Sequence, residues 1–234
     1  MGQPKLSLII PIYNEADLLP EVLRRVRAMP WPNKEMVLVD DCSQDGTQAI
    51  LEQEKGQPDT IVLRHDCNRG KGAAIRTGLE HFTGEIAIIQ DADLEYDPLE
   101  IPLVISPIVK GNADVAYGSR FLGQVKGMRL PNRVANWILA WLVTLLYGQR
   151  ITDEATAYKA FRREVIQSIP LECQRFEFCP EVTAKVLKRG YRIIEIPVTF
   201  TARTFEEGKK IGWRDFITAV NVLLKVRFQR ERGF

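Results

Sequence analysis

In its first half the chain repeats one alternation: a short run of Val, Ile and Leu, then a stretch with helical spacing. "LSLIIPIYN" from Leu6, "EMVLVDD" from Glu35, "TIVLRHD" from Thr60, "EIAIIQDAD" from Glu85 and "ADVAYGSRF" from Ala113 read as strands. Between them, helices are expected near 16–29, 44–55, 71–83 and 98–110. Strands this continuously apolar are covered on both faces. Strand and helix in regular alternation give an α/β fold, a mostly parallel Rossmann-like sheet flanked by helices. Such sheets bind ligands outside the carboxyl ends of their strands. The second half breaks the rhythm with a long apolar run, a helix from Pro180 to Arg189, a strand "YRIIEIPVTF" and a last helix from Trp213. No repeat, low-complexity tract or linker divides it, so one domain over 1–234 is expected.

Composition narrows the function classes. A net charge of +2 over 234 residues is far below that of a general nucleic-acid binder. Cys42, Cys67, Cys173 and Cys179 form no C-x-x-C pair and read as reduced thiols, neither a disulfide framework nor a zinc site. No secretory leader fits between Met1 and the first strand, so a cytoplasmic location is expected. The most apolar run, Val134 to Gly148, falls short of the ~20 residues that span a bilayer. It suits a buried or interfacial helix.

Four carboxylates close the fourth strand in "QDADLEYDP": Asp91, Asp93, Glu95 and Asp97. If the strand continues through them, Asp91 and Asp93 share a face and address one ligand. Hard oxygen ligands favour Mg²⁺ or Mn²⁺, with substrate phosphates completing the shell. A solvated turn is the plain alternative. Asp40 and Asp41 end an earlier strand, where an aspartate either caps the next helix, with Ser43 and Asp45 as further caps, or meets a ribose hydroxyl. "NRGKGAAIRTG" lacks the G-x-x-x-x-G-K-[ST] of a P-loop and reads as a tight turn opening a helix. For Lys71, contact with a donor phosphate is weighed but not assigned, and His65 and His81 read as surface or packing residues, unpaired with any nucleophile.

Taken together, "IIPIYNE", "VLVDDCSQDGT", "NRGKGAAIRTGL", "QDADLEYDP" and "YGSRF" resemble the inverting family 2 glycosyltransferases of GT-A fold. "TDEATAYKAFRREV", "FEFCPEVTAKVLKRGYRIIEIPV" and "RTFEEGKKIGWRD" resemble the branch that loads polyprenyl phosphates, the dolichol-phosphate mannose synthases among them. The resemblance implies a nucleotide-sugar-binding half over 1–122 and an acceptor and membrane-interface half over 123–234. It implies that Pro11, Tyr13, Glu15, Val39 and Asp41 hold the donor nucleoside. Asp91, Ala92 and Asp93 would meet ribose and diphosphate, with Asp91, Asp93 and Glu95 around the cation. Glu95 stands where the mannose synthases usually carry glutamine. Arg120 and Arg133 match arginines near the phosphates; Arg203 with Lys209 or Lys210 matches a basic loop over the donor, although "EEGKK" departs from the usual G-x-S-K.

The chemistry such a site needs is neutralisation of a departing diphosphate, by a cation acting as Lewis acid and by arginines. A lipid phosphate acceptor is already anionic and needs no general base, whereas a hydroxyl acceptor does. Asp153 and Glu154 lie where hydroxyl-glycosylating relatives place one. For Asp153, base and orienting acid both stay open, as does a second reading of the chain as a hydroxyl glycosyltransferase. A non-catalytic nucleotide-binding subunit and a nucleotidyltransferase are weaker alternatives; the latter lacks its glycine-rich loop after Ile10. In the last helix, Trp213, Phe216, Ile217, Val220, Leu223, Leu224 and Phe228 fall near one stripe. Lys225, Arg227, Arg230 and Arg232 follow, and Trp137, Trp141 and Tyr147 add headgroup-type rings. A peripheral seat on an anionic membrane face is expected, with room for a separate membrane-anchoring subunit. Core packing is the alternative for both helices.

Overall fold

The computed structural model describes residues 2–203 and 213–229. Its frame is one seven-stranded sheet: β1 (Leu6–Ile12), β2 (Lys34–Asp40), β3 (Thr60–Arg64), β4 (Ile86–Ile89), β5 (Val115–Lys126), β6 (Lys159–Arg162) and β7 (Ile193–Thr201). The strand order is β3-β2-β1-β4-β6-β5-β7. All neighbours pair parallel except β6, which runs antiparallel to both β4 and β5. The carboxyl ends of β1, β2 and β4 therefore open on one edge of the sheet, as the alternating pattern predicts.

Helices α1 (Leu19–Ala28), α2 (Thr47–Glu54) and α4 (Ile101–Val109) cover one face; α3 (Lys71–His81), α5 (Leu130–Tyr147), α6 (Arg163–Ser168), α7 (Phe178–Lys188) and α8 (Trp213–Phe228) cover the other. Most of these helices turn an apolar stripe inward. In α1 it is Leu19, Val22, Leu23 and Val26, all buried, at the spacing of one helical face. The strands carry apolar side chains on both faces because both are covered: Ile9 joins one core, Leu8 and Ile10 the other. A turn of 3-10 helix at Pro98–Glu100 leads into α4, with the Asp97 carboxylate accepting from the Leu99 amide.

Three expectations change. The fourth strand stops at Ile89, so Asp91 and Asp93 lie in the turn beyond it and owe their placement to that turn, not to strand alternation. β6, a four-residue strand too short to show a period of two, and the helix α6 after it are additions to the expected elements. The division at 122/123 falls inside β5, within the stretch between Ser119 and Gln124 where its pairing with β7 shifts register. Among the described residues no helix is long and apolar enough to cross a membrane.

Candidate active site

A cleft of about 380 Å³ opens at the carboxyl edge of the sheet. The loop after β1 supplies Pro11, Tyr13 and Glu15, the end of β2 supplies Asp41, and the turn after β4 supplies Asp91, Ala92, Asp93 and Glu95. Arg203 enters from beyond β7. Nine residues singled out in the sequence thus meet in one place. Val39 does not: it is fully buried in the core beneath the cleft.

Asp41 is itself an organiser. Its carboxylate accepts from the amides of Arg69 (2.8 Å) and Gly70 (2.7 Å), and His65 Nδ1 lies 2.7 Å away. His65 is therefore no surface residue; it is buried and bridges Asp41 to Thr77 Oγ1 at 2.9 Å. Asp40 accepts from the Ser43 amide at 2.9 Å and so closes the loop after β2; it caps no helix, because α2 begins only at Thr47 behind Gly46.

The turn holding Asp41's partners is built for close approach. Gly70 has φ +93°, and a Cβ there would stand 2.5 Å from the Gln174 carbonyl oxygen; at Gly72 it would stand 2.8 Å from that of Arg175. The same two carbonyls accept from the first amides of α3, Ala73 N to Gln174 at 2.9 Å and Gly72 N to Arg175 at 2.8 Å. Donors that a helix start usually leaves for an anion are thus spent on the protein itself. The glycines serve this seam rather than a phosphate cradle. The seam also delivers Arg175 and Phe176 to the cleft, two lining residues that the sequence reading missed, along with Asn68.

The acids come with resident cations. Lys71 Nζ lies 2.6 Å from Asp91 Oδ1 and 2.7 Å from Oδ2. Burial pulls the ammonium toward neutrality, but the Asp91 charge prevails and its pKa ends above the ordinary value. Arg203 bridges Glu15 at 3.1 Å and Asp93 at 3.0 Å. Its backbone amide donates to Glu95 Oε1 at 2.9 Å. Leu94, with φ +57°, turns the chain between Asp93 and Glu95; a branched side chain adopts that conformation at a cost of about 1–3 kcal/mol. The bend lets Tyr96 bridge to Phe200, so the acid turn is stitched to the end of β7.

Asp93 remains under-compensated. Burial, then the neighbouring Asp91 and Glu95 charges, push its pKa up to about 7 despite Arg203 and Lys71. A carboxylate raised by its own neighbours is one that an added cation would restore. Among the described residues no three His, Cys, Asp or Glu side chains group into a metal cage. That arrangement fits an ion such as Mg²⁺, which takes one or two carboxylates and leaves the rest of its shell to water and phosphate. Asp93 and Glu95 fit such a role; Asp91 is committed to Lys71.

Arg120, Arg133 and Asp153 do not line the cleft. Arg120 is buried in β5, with its Nε and Nη2 each 2.7 Å from the Asp153 carboxylate and its guanidinium 5.0 Å above the Phe200 ring. Burial opposes that charge, yet Asp153 holds the pKa above its usual value. Asp153 is fully buried and also accepts from the Arg120 amide at 2.9 Å. Behind it, Glu195 accepts from the Thr152 and Asp153 amides. Glu154 is buried too, its pKa raised by burial against the pull of Lys159. Arg133 lies exposed in the first turn of α5. Lys209 and Lys210 lie outside the described residues.

A mostly parallel sheet with acids and bases gathered at its carboxyl edge puts the cleft where open α/β sheets bind their ligands, nucleotides among them. Residues 7–169 match the profile of Glycosyl transferase family 2, and the chain belongs to that family: it is a glycosyltransferase. A dolichol-phosphate mannosyltransferase of Pyrococcus furiosus is 31% identical over 89% of this chain and 60% of its own length. A UDP-N-acetylglucosamine–dolichyl-phosphate N-acetylglucosaminyltransferase of Methanococcus voltae is 31% identical over 85% of this chain and 86% of its own. Among solved structures, glucosyl-3-phosphoglycerate synthase from Mycobacterium tuberculosis with Mn²⁺ and UDP-glucose superposes with a TM-score of 0.73, over 98% of this chain and 81% of that one, at 18% identity. The shared fold is the GT-A arrangement that the sequence motifs imply.

Proposed function

We propose that this glycosyltransferase moves a sugar, with inversion, from a nucleotide-sugar donor to a polyprenyl phosphate at a membrane surface. The observation that carries the reading is the acid turn: Asp91, Asp93 and Glu95 gathered in one cleft, with Asp93 pushed up to about 7 and basic side chains at hand. Pro11, Tyr13 and Asp41 would flank the nucleoside. Asp93 and Glu95 would hold Mg²⁺ or Mn²⁺, which when bound supplies Lewis-acid neutralisation of the departing diphosphate. Lys71 keeps Asp91 fixed, and Arg203 and Arg175 bring positive charge to the same oxygens. The acceptor half of the reading rests on the relatives' substrates and on two half-exposed helices. On α5, Leu130, Val134, Trp137, Trp141 and Leu145 are exposed along one face; on α8, Trp213, Ile217, Leu224 and Phe228 are. The helices touch, with Tyr147 Oη donating to the Leu223 carbonyl at 2.7 Å. Lys225 and Arg227 add positive charge suited to an anionic lipid surface.

A phosphate acceptor also suits Asp153. With both oxygens engaged by Arg120 and no exposure, it is poorly placed to take a proton from a hydroxyl. Purified protein incubated with a panel of labelled nucleotide sugars, Mn²⁺ or Mg²⁺ and polyprenyl phosphate should yield a lipid-linked sugar from one donor. Asp93→Ala should lower turnover by at least roughly a hundredfold, the loss of one strong transition-state contact or more. Absence of any lipid-linked product across the panel would reject the acceptor assignment. More than a tenth of the wild-type rate in Asp93→Ala would reject the cation assignment.

A further inference from the structure

The acid turn has two positive partners, and the fold holds them differently. Lys71 is the first residue of α3, half-buried, on a helix start locked by the 174–175 carbonyls. That frame fixes the backbone from which its ammonium reaches Asp91 Oδ1 at 2.6 Å. Arg203 follows the end of β7 and touches three acids at once: Glu15 and Asp93 through its guanidinium, Glu95 through its amide. Its Nη2 sits on Asp93 Oδ2, the same carboxylate suited to a divalent cation. A guanidinium and a divalent ion compete for those lone pairs and repel each other at that distance.

We propose that Arg203 is a displaceable counter-ion of the cation site. It holds Asp93 while no divalent ion is bound and leaves it when ion and nucleotide arrive together, its charge passing to the diphosphate. Lys71 stays on Asp91 throughout. This deepens the donor-site reading given above and rests on it. The consequence is cooperative binding. The ion alone must evict Arg203 with nothing to receive it; the ion with a diphosphate gives Arg203 a new anionic partner. Ion and nucleotide then strengthen each other's binding by the same factor.

The test reads Mn²⁺ binding directly, by electron paramagnetic resonance of the free ion, with and without UDP and GDP, and needs no turnover. Arg203→Gln should bind Mn²⁺ alone on the order of tenfold more tightly than wild type, the scale of one charge-assisted contact. It should also lose most of the nucleotide-induced gain. Arg203→Lys keeps the charge but presents a single ammonium that cannot span Glu15 and Asp93, and should fall between the two. Arg203→Gln binding Mn²⁺ alone no better than wild type would overturn the proposal. So would Arg203→Lys behaving as wild type, because the effect would then follow net charge and not the contact. If no protein, wild type included, binds Mn²⁺ with either nucleotide, the donor-site reading falls first and takes this one with it.

Discussion

Asp153 gives its whole carboxylate to Arg120, in a bidentate pair closed over by Phe200. Removing one partner of a buried pair strands the other, at a cost of about 3–5 kcal/mol. Asp153→Asn should therefore lower unfolding free energy by that amount in urea titration; a loss under about 1 kcal/mol would show that Arg120 finds another partner. The contrast with the acid turn explains what the residues disclosed in advance. Asp91, Asp93 and Glu95 were legible because they follow an apolar strand, and a strand's end is a local fact. Arg120 read equally well as a phosphate ligand, since nothing near it in sequence names Asp153, thirty-three positions on. Arg175 carries no such local mark: its place in the cleft depends on the seam between α3 and the 174–175 segment.

At the scale of elements, α8 departs most from expectation. Its apolar residues do not form one stripe. Ala219, Leu223 and Val226 pack into the core, Phe216 and Val220 are half-buried, and Trp213, Ile217, Leu224 and Phe228 face outward. A sequence rich in large apolar residues on neighbouring helical faces does not say which face the core takes. On α5 the outward face is clearer, with Trp137 68% and Trp141 57% exposed, while Tyr147 turns back to bond α8. If this face meets lipid, Trp137→Ser with Trp141→Ser should weaken binding to anionic vesicles by roughly tenfold or more in co-sedimentation, without altering the far-ultraviolet circular dichroism. Unchanged sedimentation would remove the two tryptophans from any lipid contact.

Across the whole molecule the sheet carries its polar fastening at the edge opposite the cleft. Glu35 is buried there and ties three segments together: it accepts from Ser7 Oγ at 2.6 Å and from the amide and hydroxyl of Thr83, and pairs with Lys5 at 2.8 Å. Burial alone would raise its pKa, but Lys5, Ser7 and Thr83 outweigh it and lower it from 4.5 to about 2. A carboxyl depressed on folding stabilises fully above its unfolded value and loses that contribution as pH falls through its folded one. Glu35→Gln should thus cost on the order of 2–3 kcal/mol at neutral pH, and the gap to wild type should close between pH 4.5 and 2 in denaturant titrations. A gap that stays constant over that window would refute the assignment. The parallel frame itself was legible, because continuous Val/Ile/Leu runs between helical stretches admit few other solutions. The insertion of β6 between β4 and β5 was not, since it pairs residues some seventy positions apart.

The two carbonyls of Gln174 and Arg175 that close the start of α3 carry one last implication. They belong to chain made about a hundred residues after the turn they complete, so during synthesis the nucleotide pocket lacks a wall until most of the polypeptide has emerged. Recognition of the sugar donor then has to wait for the 174–203 stretch, which supplies Arg175, Phe176 and Arg203 to the cleft.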